Sequence, residues 1–376
     1  MASPVAHRLF IFGLGYVGVH VGCRARDSGW HVSGASRTAE KAARLRGAFG
    51  IETHTFDIDD DYTGLSSSGL EALRKATHVL ATVPPVADFD KDPLLALHAA
   101  DLLHTSQSAS LRWAGYLSTT SVYGDHGGAW VDEISKTVPE GSRAFSRLCA
   151  ERDWLQLRDD SNGALSSHVF RSAGIYGPGR SAVEKLQRAH AHAQFLAALQ
   201  PPSPLLDPPP NLEFAGPPGV EPREVMPKYT SRMHVADICS ALLASMASPA
   251  SERTSATYNL ADDEPATRTE VEAYVLQMMG KSADVTAVGA AAQQGNARGS
   301  LHFGFENKRV SNRKLLDELM PQGLAFPSYR EGPDLRRVQV KLEAEENLDS
   351  VAVSAEQARA PSIVVVVVVV VVVVAH

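Results

Sequence analysis

Gly13-Leu14-Gly15-Tyr16-Val17-Gly18, near the start of the chain, carries three glycines at a spacing that brings backbone amides close to a phosphate. The motif follows the apolar run Leu9-Phe10-Ile11-Phe12 and opens a stretch of helical periodicity, so it stands at a strand-to-helix turn. There Gly13 permits the tight turn, Gly15 admits a pyrophosphate to the backbone N–H groups, and Gly18 lets the helix pack close on the strand. The anion is expected on the positive helix end, at Tyr16 and Val17. A second group of reactive side chains ends another strand-like run, Tyr116-Leu117-Ser118-Thr119-Thr120-Ser121-Val122-Tyr123-Gly124, where hydroxyls collect in one place.

The specificity end of a dinucleotide site is read at the close of the second strand. An Asp or Glu there grips the two ribose hydroxyls of NAD. This chain instead has Gly34-Ala35-Ser36-Arg37. A hydroxyl beside a guanidinium suits a 2′-phosphate, through charge and paired hydrogen bonds. The expected cofactor is NADP(H), with NAD as the alternative. Asp57-Ile58, at the end of the third run, is expected to cover the adenine, and Pro84 is a further expected cofactor contact.

The elements that must position these residues alternate. Apolar runs at Leu9–Phe12, His31–Gly34, Glu52–Asp57, His78–Thr82, Trp113–Ser118 and His168–Arg171 are separated by helical stretches such as Tyr16–Ser28 and Pro93–Ser106. That is the pattern of βαβ units feeding a parallel sheet. The expected fold is α/β, a doubly wound parallel-sheet Rossmann fold with a smaller C-terminal cap region. The Rossmann part is placed at 8–180, with its sheet completed from 231–262, and the cap at 181–333. Within the cap, Pro201–Pro227 holds ten of the 22 prolines and reads as an insertion without regular structure. Thr269 with Glu272 reads as a capping box opening a helix to Met279. Residues 341–376 form a low-complexity tail ending in the valine tract Val364–Val374, too short to cross a bilayer as a helix.

Several motifs in order resemble the extended and atypical short-chain dehydrogenase/reductases, the superfamily of the NAD-dependent epimerase/dehydratases. They are Gly13–Gly18, Ser118–Gly124, Arg171-Ser172-Ala173-Gly174-Ile175-Tyr176-Gly177-Pro178-Gly179, Arg232-Met233-His234-Val235-Ala236-Asp237 and Tyr258-Asn259-Leu260-Ala261-Asp262. The resemblance implies that Thr119 orients a substrate and that Ile175 lines the cofactor groove. It also implies a Tyr-x-x-x-Lys pair on the next helix. Here Arg143 falls on the tyrosine position and Arg147 on the lysine. A guanidinium keeps its proton and cannot act as acid or base. Arg147 can still hold the nicotinamide ribose, whereas Arg143 cannot replace the phenol. The loop from Gly124 to Glu133 resembles an atypical branch without the pair and offers Tyr123, Asp125 and His126 as substitutes.

The remaining composition narrows the class. A net charge of −7 and the lack of a Lys/Arg block argue against nucleic acid. Three scattered cysteines, Cys23, Cys149 and Cys239, suggest neither a disulfide framework nor a thiolate metal site. His190 and His192, two apart, point to different helix faces and make a poor metal pair. The chain is thus expected to be cytoplasmic, to avoid membranes, to bind no metal, and to act on a small molecule; a homo-oligomer is compatible with all of this. Two functions compete: an NADP(H)-dependent oxidoreductase or epimerase-like enzyme with Thr119, Tyr123 and His126 at its reacting end, and a non-catalytic sensor of NADP(H).

Overall fold

A computed structural model describes residues 7–58, 63–85, 92–108, 110–182, 227–248, 255–278 and 306–331, all within one compact unit, Met1–Gly332. Most of the Pro-rich segment, His190 and His192, and the 341–376 tail lie outside the described residues. The chain runs β1 (Arg8–Phe12), α1 (Tyr16–Asp27), β2 (His31–Ser36), α2 (Ala39–Phe49), β3 (Glu52–Asp57), β4 (Gly64–Leu65), α3 (Ser67–Arg74), β5 (His78–Ala81) and α4 (Pro93–Gln107). It continues β6 (Trp113–Thr119), β7 (Trp130–Val131), α5 (Gly141–Asp160), β8 (Ser166–Ser172), β9 (Gly174–Tyr176), β10 (Tyr229–Thr230), β11 (Arg232–His234) and α6 (Val235–Ala247). The last described elements are β12 (Ala256–Leu260), β13 (Ala266–Thr267), α7 (Arg268–Met278), β14 (Arg309–Val310) and α8 (Arg313–Glu318).

Eight strands form one sheet in the order β12-β8-β6-β5-β1-β2-β3-β4, parallel throughout except for β4 at the edge. The fold is a doubly wound α/β Rossmann fold. Helices cover both faces, so the central strands β1 and β5 read as apolar runs rather than alternating ones, while β2 and β3 toward the edge carry polar residues. Alternation survives as a choice of face: Leu9 and Ile11 pack with Val21, Ile238 and Leu242 under α1 and α6. Phe10 and Phe12 pack on the other side with Leu73, Leu102 and Trp154 from α3, α4 and α5. The chain proceeds from β1 to β2 and β3 in one direction and from β5 to β6 and β8 in the other, so the ligand crevice of such sheets opens at the carboxyl ends of β1 and β5.

Local chemistry sets the helix starts. Thr38 caps α2 by accepting from the Lys41 amide at 3.2 Å, and Asp92 caps α4 with Pro93 in its first turn. The capping box of α7 lies two residues earlier than the sequence pattern suggests. Glu270 accepts from the Thr267 amide at 2.7 Å while the Glu270 amide donates to Thr267 Oγ1 at 3.2 Å. Glu272 instead accepts from Arg268 on the surface. Both Ser/Thr-x-x-Glu spacings exist in the sequence, and Thr267 wins because it ends the short strand β13 and stands directly before the first helical residue, Arg268. Among the described residues, no helix is long and apolar enough to cross a membrane.

Candidate functional site: the groove over the glycine turn

The three glycines do three different things. Gly13 has φ +91°, and a Cβ there would stand 2.8 Å from Thr82 Oγ1 and 2.9 Å from Val83 Cγ2. Gly18 touches the turn so closely that a Cβ would collide with the Gly13 carbonyl oxygen. Gly15, exposed and in extended backbone, has nothing within 4 Å of its Cβ position. Helix α1 begins just beyond it with no side-chain cap and no acidic residue in its first turn. Those amides and the positive end of the helix dipole face the crevice.

The other expected cofactor contacts stand at the ends of neighbouring strands. Ser36, buried at the end of β2, donates to the Thr38 carbonyl at 3.3 Å, and Arg37 follows it with an exposed side chain. Asp57 and Ile58 end β3, and exposed Pro84 follows β5. Parallel register brings β1, β2, β3 and β5 side by side, so these residues share one sheet edge. Tyr16 reaches away from it: its hydroxyl donates to the Pro178 carbonyl at 3.0 Å, and the Arg180 guanidinium lies 5.5 Å from its ring. Val17 is buried in the core beneath. Ile175, on β9, is half-buried and pairs with Met233 of β11.

At the reacting end the hydroxyls separate. Thr119 closes β6, half-exposed, its Oγ1 accepting from the Ser121 amide at 3.3 Å. Tyr123, four residues on, is fully buried. Its hydroxyl donates to Asn259 Oδ1 at 2.7 Å and accepts from Arg171 Nη1 at 3.0 Å, and burial pushes the phenol up to about 12. Arg171 in turn grips Glu151 through Nε, 3.1 Å from both oxygens, and Nη2 at 2.8 Å, while Ser118 donates to the same carboxylate at 2.6 Å. Tyr123 therefore belongs to a buried internal network, with its hydroxyl committed to Asn259 and Arg171.

His126 is engaged as well. Its Nε2 donates to the Tyr123 carbonyl at 3.1 Å and its amide to the Asn307 carbonyl at 3.0 Å. Asp125 accepts from the Gly127 and Asn307 amides, which hold its carboxyl below the usual range. Lys308 Nζ donates to the Gly124 carbonyl, and β7 pairs with β14, so the Gly124–Glu133 loop is stapled to the 306–310 segment. Arg147, at the lysine position, donates from Nη1 to the Leu117 carbonyl at 2.8 Å and braces the end of β6; Arg143 is exposed. Of the substitutes suggested by the loop, Tyr123 is held in the interior, His126 spends Nε2 on the Tyr123 carbonyl, and Asp125 accepts two amides. The half-exposed hydroxyls left at this strand end are Thr119, Thr120 and Ser121.

Sequence reasoning missed the Glu151–Arg171 network and the ring of polar groups around Arg232 and Asp262 described below. One signal was present: an arginine inside the apolar run His168-Val169-Phe170-Arg171 has to be paired if that strand is central. Among the described residues no cluster of His, Cys, Asp or Glu is arranged to hold a metal ion.

No family model matches the chain. Protein YeeZ of Escherichia coli (strain K12) is 27% identical over 177 residues, a match that spans 46% of this chain and 60% of that protein. A functionally unknown conserved protein from Silicibacter pomeroyi DSS is 31% identical, superposes with a TM-score of 0.61, and covers 89% of this chain and 99% of its own. A short-chain dehydrogenase/reductase superfamily protein from Agrobacterium tumefaciens, solved with bound NAD, is 15% identical with a TM-score of 0.54 over 90% of this chain and 100% of that one. These structures share the fold of this chain, and at 31% identity over nearly the whole of its relative the chain belongs to one family with the Silicibacter pomeroyi protein.

Proposed function

We propose that the protein binds NADP(H) over the Gly13–Gly18 turn and is an oxidoreductase or epimerase-like enzyme acting on a small polar metabolite. One observation carries this reading: an uncapped, acid-free helix start beyond a glycine with open space at its Cβ position, next to a strand end bearing Ser36 and Arg37 in place of a carboxylate. The residues present fit such a cofactor. The first-turn amides of α1 would hold the pyrophosphate, Arg37 and Ser36 the 2′-phosphate, and Asp57 and Ile58 the adenosine side. The nicotinamide, when bound, supplies hydride chemistry. Thr119 is the hydroxyl best placed to orient a substrate carbonyl or alcohol, and Arg147 supports the strand end that carries it.

A second reading has its own support. With Arg143 at the tyrosine position and Tyr123 locked internally, the described residues beside Thr119 offer no evident general acid, as in a non-catalytic NADP(H) sensor. Calorimetric titration with NADPH and NADH, beside a metabolite screen for NADPH oxidation, separates the two. Tight NADPH binding with turnover supports the enzyme, and binding without any turnover supports the sensor. No binding of either nucleotide overturns both.

A further inference from the structure

Past the carboxyl ends of β8 and β12, on the same sheet edge as the glycine turn, β9 and β11 pair in parallel and gather polar groups from four segments. Asp262, two residues beyond β12, is 1% exposed, and its carboxylate, drawn toward the Glu264 amide of its own loop, makes no well-formed hydrogen bond. Its amide donates to the Arg232 carbonyl at 2.6 Å, which fixes the two residues side by side. The Arg232 guanidinium spends Nη2 on Thr230 Oγ1, at 2.7 Å, and the Ala266 carbonyl, at 3.4 Å, and leaves Nη1 buried without a partner. The hydroxyls of Tyr176, at the end of β9, and Tyr329 are buried and unpartnered too. Tyr329 lies between two cations, its ring centroid 5.2 Å from Arg232 and 4.7 Å from Arg330.

Buried polar atoms are almost always paired, because a group taken from water without a replacement bond is costly. Several unpaired at one place, converging from separate segments at the ligand edge of an open α/β sheet, mark a binding site rather than a packing fault. The turn after Tyr176 packs on the first residue of α1: a Cβ on Gly177 would meet Tyr16 Oη at 2.8 Å, and that hydroxyl donates to the Pro178 carbonyl. We propose that Arg232, Asp262, Tyr176 and Tyr329 bind the carboxylate of a small organic acid at that sheet edge.

The donor set selects an anion. Arg232 Nη1 and the two phenols offer N–H and O–H groups to a carboxylate. Asp262 joins them as a donor in its neutral form, which burial favours by pushing its carboxyl up to about 8, against the opposing pull of Arg232. The groups facing Asp262 are Arg232 from β11, Tyr176 from β9, and Asp263 and Glu264 from its own loop. At neutral pH the site is therefore a guanidinium beside a neutral acid, and the neighbouring Glu264 carboxylate is paired with Arg330 at 2.9 Å. Above about pH 8 Asp262 ionises and repels the ligand, so affinity falls with rising pH. That this acid is the substrate rests on the function proposed above; that it binds does not.

The test is a thermal-stability titration of the full chain with sodium lactate and sodium citrate, with lactamide and glycerol as uncharged controls, from pH 7 to 9. The expected result is a saturable rise in melting temperature with either carboxylate and none with the controls. The apparent affinity should fall about tenfold between pH 7 and 9, as the neutral fraction of a group titrating near 8 falls. Arg232→Met should weaken carboxylate binding at least tenfold, and Asp262→Asn should retain it at pH 7 and flatten the pH dependence. Equal responses to charged and uncharged probes, no saturable response to either acid, or an unchanged response in Arg232→Met would overturn the proposal. Should Arg232→Met fail to fold, the wild-type pH slope and the charged-against-uncharged comparison decide. NADPH calorimetry on the same samples keeps the readings apart: loss of nucleotide binding would remove the proposed function and leave the carboxylate result standing.

Discussion

Arg171 of β8 lays its guanidinium against the carboxylate of Glu151 on α5, with Nη2 2.8 Å from Oε2, and both side chains are more than nine-tenths buried. Helix and strand are joined there by charge as well as by packing. The pair also fixes Tyr123 and Ser118, so one ion pair orders the floor of the reacting end.

Breaking that pair from one side should be severe. Arg171→Met or Glu151→Gln leaves a buried group unmatched, which costs about 3–5 kcal/mol. At about 2–4 °C per kcal/mol for a domain of this size, the melting temperature should drop by about 6–20 °C. The double variant should recover part of the loss. Calorimetric or circular-dichroism melts of the three variants check this, and additive losses in the double variant would contradict it.

Arg37→Ala should weaken NADPH and leave NADH nearly unchanged. A hydrogen bond to a charged group contributes about 1.5–3 kcal/mol, so the loss should be about 10- to 150-fold in Kd. Isothermal titration with both nucleotides decides it. Equal wild-type affinities would remove the 2′-phosphate assignment.

Gly15→Ala and Gly18→Ala should fail differently. The first puts a methyl group where no protein atom lies within 4 Å, in extended backbone, so the fold should melt within about 2 °C of wild type. It should still weaken NADPH at least about tenfold, because the pyrophosphate needs that approach. The second drives a methyl group into the Gly13 carbonyl and should lower the melting temperature itself. A melt and a titration of each variant separate the two effects.

Tyr123→Phe should act on stability, not on chemistry. It strands Asn259 Oδ1 and one Arg171 N–H in the interior, a loss of about 1–3 kcal/mol. In any assay that detects turnover, rates per folded molecule should stay within about threefold of wild type, and His126→Ala should behave alike. Thr119→Val should instead lower kcat by about tenfold or more, on the scale of one lost transition-state hydrogen bond. The reverse ranking would return the proton transfer to the Tyr123–His126 loop.

Several features follow from short stretches of chain alone. The alternation of apolar runs with helical stretches dictates a parallel sheet, because covered strands must be apolar on both faces. The glycine turn is equally local: a positive φ at residue 13 and a close helix–strand contact at residue 18 are requirements that only glycine meets, and they show as letters in the sequence. Ser36 and Arg37 were legible for the same reason, since a strand end is a fixed place once the strand is known. The destination of a side chain is another matter. Tyr123 points to Asn259, 136 residues away, and to Arg171, 48 away, rather than into the crevice. Arg232 and Asp262 meet only because β11 and the end of β12 are brought together beyond the sheet. Periodicity says which face of an element is buried. Whether a buried hydroxyl or charge finds a partner, or waits for one, depends on atoms from distant segments that only the packed fold brings within hydrogen-bond reach.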